Sequence, residues 1–128
     1  MSENAKALMA KYPSIFRDNG PRAGFYIGPG WFTLVDTLCA TIDWHIQNHV
    51  PEELRPSIFV AQVKEKFGTL RFYMEQSTPY IDGAIAIAEQ MSSHICEQCG
   101  NPAKTRGGGW IKTECDSCHE ESEKKKKK

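Results

Sequence analysis

Ile58-Phe59-Val60-Ala61-Gln62-Val63-Lys64, then Glu65-Lys66-Phe67-Gly68, then Thr69-Leu70-Arg71-Phe72-Tyr73-Met74 form the stretch around which the rest of the chain must pack. Its first and last pieces are rich in β-branched and aromatic residues, and the middle piece carries a glycine. The stretch therefore reads as strand, turn and returning strand. Side chains alternate between faces along a strand. Phe59, Ala61 and Val63 are thus expected to share a face with Leu70, Phe72 and Met74, and helices must cover that face. The other face would carry Ile58, Val60, Gln62 and Lys64 beside Thr69, Arg71 and Tyr73. A four-residue turn sets Gln62 opposite Arg71 and Val60 opposite Tyr73. A hairpin is marginal by itself, so a third strand or a partner chain is needed. A dimer partner over Ile58 and Val60 would make the face concave.

The second face is chemically mixed, with two cations, an amide, a phenol and some apolar area. One reading is a solvated sheet face. The sharper one is a binding surface made of Gln62, Lys64, Arg71 and Tyr73. Arg71 can hold a phosphate or carboxylate with two parallel donors. Tyr73 can stack on a base, and Gln62 offers both donor and acceptor.

Helical periodicity flanks the hairpin. A short helix is expected over residues 4–11, with Leu8 and Met9 as its apolar contacts, and Pro13 stops it. Residues 17–30 read as loop, broken by Gly20-Pro21, Gly24 and Gly28-Pro29-Gly30, with Phe25-Tyr26-Ile27 as a brief extended piece. A long helix over residues 31–49 places Trp31, Leu34, Val35, Leu38, Cys39, Ile42, His45, Ile46 and His49 on one arc. Cys39 on that arc reads as a buried free thiol. Asp36 and Asp43 fall on the opposite side and read as solvated charges. His45 and His49 form an i, i+4 pair that can hold a metal or can serve structurally near the helix C-terminus. A second long helix is expected over residues 79–95, with Thr78 as N-cap, Pro79 in the first turn, and a stripe of Ile81, Ala84, Ile85, Ala88, Met91 and Ile95.

That helix leads directly into a four-cysteine frame: Cys96-x2-Cys99, fifteen residues, Cys115-x2-Cys118. Each pair sets two thiolates on one knuckle, and the spacer is long enough for a hairpin that brings the knuckles together, so the frame reads as a structural Zn2+ site, one ion per chain. With no secretory segment at the start of the chain, disulfides are disfavoured. Cys115-x-x-Cys118-His119 also matches a haem-attachment pattern, but that reading orphans Cys96 and Cys99. His119 is expected beside the ligand shell. Within the spacer, Gly107-Gly108-Gly109 forms a tip flanked by Arg106, Trp110 and Lys112, with Trp110 expected to shield the metal.

The 128 residues suit one α+β domain: two main helices on a small antiparallel hairpin or sheet, with a C-terminal zinc ribbon. The division expected is a core over 1–95, a ribbon module over 96–119, and a disordered lysine-rich tail over 120–128. Formal charge is zero, but five of the 16 Lys and Arg residues are Lys124–Lys128. That leaves 11 basic against 16 acidic groups in residues 1–123, a net of −5. A negative body disfavours non-specific duplex binding. No run is long and apolar enough for a membrane helix, and a cytoplasmic location is expected.

Gly30-Trp31-Phe32-x-Leu34, the run from Gln62 to Tyr73, Cys96-Glu97-x-Cys99-Gly100 and Trp110-Ile111-x-Thr113-x-Cys115-x-x-Cys118 together resemble a family of small uncharacterised phage, prophage and bacterial proteins. The resemblance covers roughly residues 12–119. It implies no activity, but it does imply a phage or prophage setting, hence a host bacterial cytoplasm, where small proteins act on host defence or transcription. Motifs for catalysis are missing: there is no phosphate-binding glycine loop and no Gly-x-Ser-x-Gly, and a four-cysteine metal has no open position. The expectation is a non-enzymatic protein. It would sequester a small anionic, nucleotide-like host immune signal on the hairpin face, as a monomer or homodimer. The alternatives are a nucleic-acid-binding or transcription-linked zinc ribbon, and a protein inhibitor of a host enzyme anchored by Trp44.

Overall fold

Ala61 decides how the hairpin lies. The computed structural model, which describes residues 2–17 and 20–126, places strand β2 at Val60–Lys66 and strand β3 at Thr69–Met74. Val60 pairs with Met74, but Gln62 pairs with Tyr73, so the register slips by one residue at Ala61. This is a β-bulge, which bends the strand and re-aims what precedes it. Ile58 and Val60 therefore face the core together with Val63, Leu70 and Phe72. That corrects the expectation from simple alternation, which left Ile58 and Val60 on the open face for a partner to cover. The turn is also tighter than expected. Phe67 and Gly68 alone form it, both at positive φ (53° and 81°), the two-residue geometry whose twist matches antiparallel strands. Gln62 consequently faces Tyr73 and Lys64 faces Arg71.

The third strand is internal to the chain. Strand β1, Phe25–Tyr26, pairs parallel to β2, with Phe25 beside Val63 and Tyr26 beside Lys64. The sheet order is β1-β2-β3. The far edge, β3, is closed by a helix: the Leu70 N–H donates to Ser92 Oγ (2.8 Å) and the Phe72 N–H to Glu89 Oε2 (3.0 Å). These two side chains satisfy donors that would otherwise template another strand.

Helix α1 (Glu3–Lys11) starts at Ser2, whose hydroxyl accepts the Ala5 N–H, and buries Ala5 and Leu8. Its end is tied to helix α2 (Phe32–His49) by Lys11 and Tyr12, which both bond Asp36. Ser14 bonds Asp43 nearby (2.7 Å). Asp36 and Asp43 thus tie the end of α1 and the turn after it to α2, rather than standing as free solvated charges. The two bonds from Lys11 and Tyr12 hold the Asp36 carboxyl below its usual range. Burial, with Asp36 beside it, pushes the Tyr12 hydroxyl up to about 12.

α2 buries Val35, Leu38, Cys39, Ile42, His45 and Ile46 in the core and packs on α3, with Trp31 fully buried just before it. Burial pushes the Cys39 thiol far up, so it packs as an apolar group. His49, expected on the same arc, is exposed. Helix α3 (Pro79–Ser92) is capped by Thr78, whose hydroxyl accepts the Ile81 N–H. It buries Ile81, Ala88 and Ser92. Met91 lies exposed, and the helix stops at Ser92 rather than at residue 95. Ser92 takes the inward position because its hydroxyl serves both the Leu70 N–H and the Glu89 carbonyl (2.6 Å).

Beyond α3, strands β4 (Lys104–Arg106) and β5 (Lys112–Glu114) form an antiparallel hairpin, and helix α4 runs from Asp116 to Lys126. The segment expected to be disordered, 120–128, is therefore helical through Lys126, while Lys127 and Lys128 lie outside the described residues. Acidic Asp116 at its start and lysines at its end complement the helix dipole, and Ser122 bonds Glu114 (2.9 Å). No helix among the described residues is long and apolar enough to cross a membrane.

Candidate functional site

The four cysteines meet. The Sγ atoms of Cys96, Cys99, Cys115 and Cys118 all lie within 4.8 Å of one another, and Cys99 and Cys115 are 3.5 Å apart. A tetrahedral ion with metal–sulfur bonds of about 2.3 Å separates its ligands by about 3.8 Å, so the cluster fits one metal ion. Burial pushes the Cys96 thiol up, but backbone N–H groups of Cys115, Cys99 and Gln98 outweigh it and bring the thiol down to about 7. Cys118 is driven far up, first by its bond with Cys115. Cys96 thus holds a negative charge readily while Cys99 and Cys118 resist one, which is the electrostatic demand a cation relieves. His119 stands outside the cluster, 3.9 Å from Glu114.

The module is seated on the core by backbone. The Gly30 N–H donates to the Glu97 carbonyl (2.7 Å) and the Gly28 N–H to Glu97 Oε2 (2.8 Å). Trp31 Nε1 donates to the Ile95 carbonyl, and Thr113 Oγ1 to the Gly68 carbonyl (2.6 Å). A Cβ at Gly30 would lie 2.0 Å from the Cys96 oxygen, so glycine is required there. Trp110 does not shield the metal: it is 72% exposed. The glycine tip swings it outward, with Gly108 and Gly109 at φ 95° and 103°. Arg106, which flanks the tip, pairs with Asp116 (2.7 Å).

The expected face residues do come together, in pairs that differ from those expected. Lys64 is cross-strand from Arg71, and Gln62 from Tyr73. Like charges directly opposite one another destabilise a sheet. Among the described residues neither Lys64, Lys66 nor Arg71 has an acidic partner. The Arg71 Nε is buried with no hydrogen-bond partner. Gln62 Nε2 donates to the Ala23 carbonyl (3.1 Å), which fixes its amide.

No family model, curated protein or solved structure matches the chain. The reading of the site therefore rests on its own geometry. Sequence reasoning missed two residues of the face. Tyr26 enters it from β1, beside Lys64, and Lys66 extends the cationic row once the turn shrinks to two residues. Only the brief extended reading of residues 25–27 hinted at the first.

The His45–His49 pair is structural at His45. Its Nε2 meets Thr78 Oγ1 (2.9 Å), its ring stacks on Tyr80 at 4.3 Å, and burial lowers its pKa, as does His49 to a smaller degree.

Proposed function

We propose that the protein is a non-enzymatic binder of a small anionic, nucleotide-like ligand, which it holds on the open face of the β1–β3 sheet. One observation carries the reading: Lys64 and Arg71 face each other without a counter-charge, at a cost in stability that a bound anion would offset. Gln62 and Tyr73 are the adjoining cross-strand pair. In the phage or prophage setting that the resemblance implies, such a protein would sequester a host immune signal in the bacterial cytoplasm without turning it over. The four cysteines hold a structural Zn2+ ion, one per chain, as a closed shell would. Calorimetric titration with nucleotides tests the reading. Saturable binding that Arg71→Ala abolishes is expected, and binding that survives this substitution would remove the face from the argument. Native mass spectrometry of the same protein gives zinc content and decides between monomer and homodimer.

Two observations favour other readings. Exposed Trp110 at the Gly107-Gly108-Gly109 tip suits a nucleic-acid-binding ribbon, whose affinity would fall steeply with salt. Trp44, 51% exposed, suits an anchor for a host enzyme, which pull-down from a bacterial host would retain.

A further inference from the structure

The sheet face has a second element beside its cations. Tyr26 and Tyr73 are 66% and 42% exposed, and neither hydroxyl has a partner among the described residues. In the parallel register Tyr26 stands beside Lys64. Its ring leans back over Gly24, next to Ala23, whose carbonyl holds the Gln62 amide. A Cβ on Gly24 would fall 2.3 Å from the Tyr26 Cε2, and Gly24 adopts φ 104°. The bare glycine lets the ring lie back toward the Ala23–Gln62 end of the face.

From this arrangement we propose that Tyr26, Gln62 and Tyr73 form a slot for a planar base, and that the ligand is a nucleoside phosphate rather than a bare anion. The proposal rests on the anion-binding reading of the same face. β1 and β3 are two strand spacings apart, about 10 Å. Aromatic rings attract at centroid separations of about 4.5–7 Å, so a base over Gln62 lies within reach of both tyrosines. The Gln62 amide, pinned by Ala23, keeps its Oε1 as an acceptor suited to an exocyclic amine. The Lys64–Arg71 pair is one row along the strands, about 7 Å, and Lys66 two rows, about 14 Å. A ribose and its phosphates would occupy that run. The net −5 of residues 1–123 disfavours a long polyanion.

The test compares ATP, GTP, CTP and UTP with inorganic tripolyphosphate by calorimetric titration at fixed ionic strength. At least one nucleotide is expected to bind about tenfold or more tightly than tripolyphosphate, the scale of one base stacked on aromatic side chains. Tyr26→Ala and Tyr73→Ala should each reduce that preference severalfold, and Tyr26→Phe should keep it. Gly24→Ala should act like Tyr26→Ala, by displacing the ring. If nucleotides and tripolyphosphate bind equally and Arg71→Ala abolishes both, the base slot is wrong and the anion face stands. If none of the five ligands binds, both readings fall. Tighter binding of a single-stranded oligonucleotide than of any nucleotide would overturn the mononucleotide class.

Discussion

Replacing Gly30 by alanine should unseat the metal module. The added Cβ would lie 2.0 Å from the Cys96 oxygen, 2.5 Å from the Gly100 nitrogen and 2.8 Å from the Cys99 nitrogen. All three are backbone atoms of the first knuckle, so no side chain can rotate away. Relief requires the knuckle and the start of α2 to part by more than an ångström. That movement breaks the Gly30–Glu97 bond and strains those of Gly28 with Glu97 and Trp31 with Ile95. One bond lost and two weakened cost about 2 kcal/mol net, and over-packing adds about 1–3 kcal/mol. The expected loss is about 3–5 kcal/mol, a fall in Tm of roughly 12–20 °C for a domain of this size. Gly83→Ala is the control. It lies in α3 with nothing within 4 Å of the added carbon, and the helix should gain about 0.5–1 kcal/mol. Thermal unfolding by circular dichroism and metal analysis after chelator challenge read both variants. A Gly30→Ala protein that melts within a few degrees of the parent and keeps its metal equally well would refute the docking of the knuckle on this loop.

Three further outcomes are expected. Ser92→Ala leaves the buried Leu70 N–H without an acceptor and should cost about 1–3 kcal/mol in urea unfolding, whereas Ser93→Ala, whose exposed hydroxyl serves only Gln90, should change little. Burial lowers the His45 pKa from 6.5, so the unfolded chain takes up the proton first as pH falls. Stability should therefore decline with falling pH below about 6.5, and His45→Gln should flatten that slope. Lys64→Ala removes a like charge opposite Arg71 and should leave stability unchanged or raise it by a few tenths of a kcal/mol, while weakening anion binding; a clear loss of stability would show that the pair is compensated by groups other than a ligand.

Much of this molecule is written locally. Thr78-Pro79 caps a helix wherever it is placed, because the hydroxyl and the missing N–H act on their own first turn. The apolar spacing from Trp31 to Ile46 sets a buried arc, and two Cys-x2-Cys pairs form two knuckles, since in both cases the partners lie within one turn of chain. What failed were inferences that needed a neighbour distant in sequence. Alternation could not place Ile58 and Val60 correctly, because a bulge at Ala61 costs little locally and is selected by the core it lets them join. Met91 fits the helical stripe, yet Ser92 takes the inward place because an edge strand needed an acceptor.

The sequence alone determined the hairpin, the two long helices and the cysteine frame, and it named four residues of the candidate face, but it did not show helix α4. Tertiary structure decided which of them meet. Gly28 and Gly30 look like loop breakers in the sequence. Only the approach of Glu97 and Cys96 makes them docking points for the metal module. The physical reason is the same in both cases. A glycine's bare Cα matters for what fills the space beside it, and that occupant comes from the packing of the fold.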